Sequence, residues 1–115
     1  MNTLEDLTAK ITTFRDARDW KQFHNPKDLA LSLVLEAAEV MEHFQWKNED
    51  EIKKYLVSNK AAISEELADV LYWVLLMAYD LNIDIGTAVE NKMQKNEEKY
   101  PVEKAKGKHT KYTDL

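Results

Sequence analysis

Four acidic residues in two pairs, Glu36 with Glu39 and Glu66 with Asp69, are the part of this sequence best suited to chemistry. Each pair is spaced by three, so on a helix both of its side chains leave the same side. If the two helices that carry them pack antiparallel, the carboxylates converge. Converged carboxylates repel, and each raises its neighbours' pKa. A divalent cation resolves that repulsion, and carboxylate oxygen with water is the ligand set of Mg2+ or Mn2+. Acidic pairs at helical spacing also occur on solvated faces, but the surroundings here argue otherwise. Glu36 lies in Leu33-Val34-Leu35-Glu36-Ala37-Ala38, and Asp69 in Leu67-Ala68-Asp69-Val70-Leu71. Charge set in apolar helix surface is costly unless it is paired or bound to metal. A di-iron carboxylate bundle is the competing site, and it needs Glu-x-x-His motifs. His43 stands four residues after Glu39, and the stretch around Glu66 and Asp69 carries no histidine, so that reading is weak.

The elements that must position these residues are helical. Thr3 is a candidate cap for a first helix, with Asp6 three residues on. Leu4, Leu7, Ile11 and Phe14 recur at helical spacing, with Arg15, Asp16, Arg18 and Asp19 mostly off that stripe. This helix should fade near Asp19 into an aromatic connector, Trp20 to His24. Asn25-Pro26-Lys27-Asp28 opens the next helix: an N-cap, a proline at the first position and an acid facing the helix dipole. Its apolar face runs to about Gln45. Asn48 with Glu51 starts a short helix reaching about Leu56, and the longest helix is expected from about Ser58 to Asn82. That helix is apolar nearly all round, with Ile63, Leu67, Val70, Leu71, Trp73, Val74, Leu75, Leu76, Met77 and Leu81, so it is central or lies in a subunit interface. Asp84 caps a last helix, which ends before Pro101. The expected architecture is all-α. It is a four-helix bundle with a short extra helix, one domain over residues 1–115, with about 101–115 an extended basic tail.

Composition excludes several classes. With 44% hydrophobic and 32% charged residues, 115 residues make an ordinary single globular core. Two glycines and two prolines are too few for a turn-rich β fold. A net charge of −5 argues against nucleic acid as a partner. No run approaches the roughly 20 apolar residues that span a bilayer, so no membrane partner is expected. The absence of cysteine removes disulfide and thiol chemistry. With no basic-then-apolar leader at Met1, the expected location is cytoplasmic.

Glu36-Ala37-Ala38-Glu39 followed by Glu66-Leu67-Ala68-Asp69 resembles the Glu-x-x-Glu … Glu-x-x-Asp signature of the MazG-like, all-α NTP pyrophosphohydrolases. The resemblance extends to the dCTP pyrophosphatase branch. Its markers are Arg18-Asp19-Trp20-Lys21-Gln22-Phe23-His24, Phe44-Gln45-Trp46-Lys47, Lys92-Met93-Gln94-Lys95-Asn96, Tyr100-Pro101 and Lys111-Tyr112-Thr113. It implies that Glu36, Glu39, Glu66 and Asp69 bind Mg2+ and are the catalytic residues. It also implies a base and sugar pocket of Trp20, His24 and Trp46, with Lys92 and Asn96 contacting the nucleotide. Trp73 stands where the branch tends to carry a tyrosine in contact with the ligand. An indole offers one donor and no acceptor, which changes what this position presents to a base.

The expected activity is Mg2+-dependent conversion of dCTP, or a modified dCTP, to the monophosphate and pyrophosphate, cleaning the nucleotide pool. A broad house-cleaning activity on non-standard triphosphates is the second reading. A non-catalytic helical oligomerisation module is a third, from a different class. A helix as apolar as Leu67 to Leu81 exceeds what four helices of this length bury within one chain. The resemblance accordingly implies a homodimer, or a homotetramer built from two dimers.

Overall fold

A computed structural model describes residues 2–115. All of its regular elements are helical, in the order α1 (Leu4–Ala17), α2 (Pro26–Glu42), α3 (Glu49–Asp80), α4 (Ile85–Lys99) and α5 (Val102–Ala105). Single 3-10 turns lie at Lys21–Phe23 and Tyr112–Asp114. The all-α expectation holds. The chain divides into two compact units, Met1–Asn82 and Ile83–Leu115. Among the described residues no helix is long and apolar enough to cross a membrane.

Each long helix begins where a polar side chain takes up an otherwise unpaired backbone N–H. Thr3 Oγ1 accepts from the Asp6 N–H at 3.1 Å, and Asn25 Oδ1 from that of Asp28 at 2.9 Å. Asp84 Oδ1 accepts from the Thr87 N–H at 3.1 Å. Asn48 and Glu51 form a reciprocal capping box, with bonds of 2.9 and 3.2 Å.

Beyond those starts, α3 departs from expectation. No break occurs near Leu56–Ser58; one helix of 32 residues runs from Glu49 to Asp80. The new start expected near Ser58 does not occur. Here the Asn59 amide donates back to the Tyr55 carbonyl at 2.9 Å and to Ser58 Oγ at 3.3 Å. With their polar groups bonded locally, and no glycine or proline nearby, the helix continues. At its other end α2 stops at Glu42, short of Gln45. The segment from Pro101 on, expected to be extended, holds α5 and the last 3-10 turn. Within that unit Tyr100 and Tyr112 meet edge to face at 5.9 Å, and Lys99 Nζ lies 4.8 Å from the Tyr112 ring centre.

In the first unit α3 packs against both α2 and α1. His43 bonds Tyr55 close to the link, while Glu36 and Glu39 meet Glu66 and Asp69 farther along, so α2 and α3 run antiparallel. Leu29, Leu75, Leu76 and Ala78 form the buried apolar core. Thr12 and Arg15 are buried with them. The Thr12 hydroxyl is satisfied by donating back to the Thr8 carbonyl at 3.0 Å.

Arg15 was expected off the apolar stripe; instead it is 1% exposed. Two of its N–H groups donate to the Asp80 carboxylate at 2.7 and 2.8 Å, joining α1 to the end of α3. Each partner favours the other's charged form, so the Asp80 carboxyl lies below its usual range and the Arg15 guanidinium above its own. Removing one member of such a pair leaves an uncompensated buried charge. Asp80→Ala is therefore expected to lower stability by about 3–5 kcal/mol in urea denaturation. A loss below about 1 kcal/mol, the range of exposed ion pairs, would show that this pair does not hold α1 on α3.

Candidate active site

Glu36 and Glu39 project from α2, and Glu66 and Asp69 from the facing part of α3. One carboxylate oxygen from each of the four lies within 4.8 Å of all the others. Two members, Glu36 and Glu66, are half-buried, while Glu39 and Asp69 are exposed. The site thus has an inner and an outer carboxylate on each helix. Glu36 Oε2 and Glu66 Oε2 are both buried without a hydrogen-bond partner. Orphaned buried acceptors are unusual in a folded protein. Two of them facing further carboxylates are what a site for a cation looks like without the cation.

Electrostatics agree with the geometry. A hydrogen bond shared with Glu39, burial, and the charges of Glu39, Asp69 and Glu36 push the Glu66 carboxyl up to about 7. Burial, then Glu39 and Asp69, raise Glu36 as well, opposed by a hydrogen bond from the Trp73 indole. Carboxylates this close cannot all ionise unaided, so a proton or a cation must be held between them. Among the described residues this is the grouping of ligand side chains that could hold a metal ion, and it contains no histidine. The di-iron pattern has no counterpart here. Hard carboxylate oxygen suits a hard divalent cation.

Two further site candidates meet each other, and one of them, Trp73, stands next to the cluster on α3. Trp73, one turn beyond Asp69, is half-buried and meets the His24 ring edge to face at 5.6 Å. His24 Nδ1 lies 3.4 Å from Arg15 Nη1. Burial, reinforced by the Arg15 charge, lowers the His24 pKa and favours the neutral ring. Trp20 has different neighbours. It packs edge to face on Phe14 at 5.7 Å, with the Arg18 guanidinium 5.9 Å from its ring. Trp46 projects from the link between α2 and α3, 91% exposed, with a left-handed φ of 69°. A non-glycine residue in that conformation is strained, and such strain gathers at functional positions. Lys92 and Asn96 lie one turn apart on α4, in the second unit.

Sequence reasoning passed over Arg15 and Asp80, and with them what orients His24. The signal was present: Leu7, Ile11 and Arg15 follow one another at intervals of four, which puts Arg15 on the buried stripe. His43 has a structural role that its spacing from Glu39 does not reveal. It bonds the Tyr55 hydroxyl, while Lys47 Nζ donates to the His43 carbonyl at 2.7 Å and lies 4.3 Å from the Tyr55 ring centre. This corner secures the link that bears Trp46.

An all-helical chain with an all-carboxylate cluster on two antiparallel helices has close counterparts among known proteins. Residues 31–115 match the MazG-like family. The chain belongs to that family. It is 42% identical to dCTP pyrophosphatase 1 of Rattus norvegicus over 115 residues, covering 98% of this chain and 68% of the relative. Against dCTP pyrophosphatase 1 of Homo sapiens the identity is 40%, with the same coverage. The crystal structure of a pyrophosphatase from Archaeoglobus fulgidus DSM 4304 superimposes with a TM-score of 0.81 at 41% identity. That match covers 88% of this chain and 94% of the other.

The raised carboxyls give the metal-free protein a distinctive pH response. The folded state retains a proton at Glu66 up to about pH 7, whereas the unfolded chain releases it near the ordinary value of 4.5. Stability contributed by the cluster is therefore present at low pH and lost as pH rises through that window. The melting temperature in EDTA is expected to fall between about pH 5 and pH 8, and saturating Mg2+ is expected to offset the fall. A metal-free profile that is flat across this range would contradict the coupling between the four carboxylates.

Proposed function

We propose that this protein is a nucleoside triphosphate pyrophosphohydrolase that acts on dCTP or a close analogue, with Mg2+ held by Glu36, Glu39, Glu66 and Asp69. The observation that carries the reading is the convergence of the four carboxylates within 4.8 Å, two of them bearing orphaned buried oxygens. Membership of the MazG-like family and about 40% identity to dCTP pyrophosphatase 1 support the reaction class. Bound there, Mg2+ supplies positive charge that polarises the phosphate oxygens and favours ionisation of an attacking water.

The chain's own contribution is placement. Rigid helices hold the acidic side chains where a triphosphate would otherwise be repelled, so substrate and cation bind together. A water oxygen forms a bond to the α-phosphorus, and the bond from that phosphorus to the bridging oxygen breaks. Pyrophosphate leaves, the nucleoside monophosphate remains, and the water's proton is released. The indole of Trp73 stands beside the cluster and meets the His24 ring, and on this reading the two line the nucleoside side of the site. Trp20 and Trp46 offer flat faces, and stacking on a base is worth roughly 1–3 kcal/mol. Lys92, as a point cation, and Asn96 enter this reading through the resemblance alone.

The active species on this reading is a dimer or a pair of dimers. Leu31, Val34 and Leu35 on α2 and Leu67 on α3 are exposed in the single chain. Leu31, Val34 and Leu35 share one face of α2, and clustered exposed apolar side chains mark interaction surfaces.

Pyrophosphate release from a panel of canonical and modified deoxynucleoside triphosphates, with Mg2+ and then with EDTA, tests the proposal. EDTA-sensitive turnover of dCTP above dTTP and the purines is expected, eluting on a sizing column at the dimer position or earlier. Glu39→Gln is expected to reduce turnover at least a hundredfold while keeping the helical spectrum. Release without base preference would favour the broad house-cleaning reading. No release from any triphosphate would favour an interaction module.

A further inference from the structure

The Arg15–Asp80 pair is more elaborate than a clamp between two helices requires. Arg15 Nη1 carries two hydrogens. One goes to Asp80 Oδ2 at 2.7 Å, and the other is available to His24 Nδ1 at 3.4 Å. The second bond to Asp80, from Nη2 at 2.8 Å, fixes the plane of the guanidinium and hence the direction of that remaining hydrogen. A guanidinium only donates, so the imidazole nitrogen facing it must be the unprotonated one. A neutral His24 then carries its proton on Nε2 and presents a single N–H donor. The ring is also fixed from the side, edge to face with Trp73 at 5.6 Å and 72°. Trp73 stands one turn beyond Asp69 on α3. Contacts therefore run from a buried ion pair through His24 to an indole beside the acidic cluster. Apolar residues of similar volume would join α1 to α3 at no greater cost than a buried ion pair. What they would not do is choose a tautomer.

We infer that Asp80 and Arg15 are positioning residues for substrate binding, holding His24 as its Nε2–H tautomer against Trp73 so that the nucleoside meets a fixed donor. A fixed N–H complements a carbonyl or hydroxyl oxygen, the kind of acceptor that a base or a sugar provides. The inference rests on the reading above, in which His24 and Trp73 line the nucleoside side of the site. Because the donor serves binding and lies outside the carboxylate cluster, loss of its orientation weakens capture of the nucleotide more than the bond-breaking step.

Two measurements test this, one of which needs no turnover. Long-range 1H–15N spectra of the histidine rings read the tautomer directly. His24 is expected neutral with Nε2 protonated in the native protein, and shifted toward a mixture in Arg15→Lys, which keeps the charge but loses the forked geometry. A protonated Nδ1 in the native protein overturns the inference whatever the enzyme does. The second measurement is a kinetic cycle with dCTP and Mg2+ on the native protein, Arg15→Lys, His24→Ala and the double variant. Asp80→Asn takes the place of Arg15→Lys if the latter does not fold. Each single change is expected to raise KM about tenfold with kcat within about twofold, and the double variant to be no worse than His24→Ala alone. Additive effects on KM, or an effect of Arg15→Lys confined to kcat, overturn the positioning role and leave His24 in the pocket. If His24→Ala leaves KM unchanged, the pocket reading of His24 falls first, and this inference with it.

Discussion

Mutual repulsion among four carboxylates, each offering an oxygen within 4.8 Å of the others, is the constraint around which the rest of the first unit is arranged. Left to themselves, such groups would splay apart into water. They stay together because each sits on a helix whose path is fixed elsewhere: α2 by its Asn25 cap, α3 by the Asn48–Glu51 box, and both by the corner between them. In that corner the His43–Tyr55 bond and the contacts of Lys47 hold the link against the start of α3. The repulsion is stored as raised carboxyl pKa values and unpartnered oxygens instead of being relieved by movement. A cation held there would relieve it. That gives the fold a reason to spend rigid structure on side chains that destabilise it in the absence of metal.

The single long helix α3 carries the consequences from one end of this unit to the other. Tyr55, Glu66, Asp69, Trp73 and Asp80 all lie along it, so corner, cluster, aromatic wall and buried ion pair share one rigid element. At 1.5 Å per residue, Asp80 is about 21 Å along the axis from Glu66. The buried core of Leu29, Leu75, Leu76 and Ala78 lies toward the Asp80 end, beside Arg15. A break near Ser58 would have uncoupled the corner from this core. The local bonds of Asn59 keep the helix continuous, so the carboxylates on α3 move with both.

How much of this could be read from the chain follows from the kind of signal involved. Caps are local and depend on one or two residues, so Thr3, Asn25, Asn48 and Asp84 were all legible. The acidic pairs were legible because a spacing of three on two helices, set in apolar surface, has few other uses. The continuity of α3 was not, because Ser58 and Asn59 favour a cap or a back-bonded helix according to what flanks them. Arg15 was missed because a charged residue was assigned to solvent, although its register with Leu7 and Ile11 placed it inside. Its partner Asp80 is 65 residues away, and no local pattern announces so distant a pairing. The left-handed φ of Trp46 likewise has no counterpart in composition.

Anomalous scattering from crystals soaked in Mn2+ decides whether the four carboxylates form one cation site. A single shared site predicts a peak between α2 and α3, within about 2.0–2.4 Å of oxygens from Glu36, Glu39, Glu66 and Asp69. At saturating Mn2+, the absence of a peak there, with the four side chains turned apart into solvent, would contradict it.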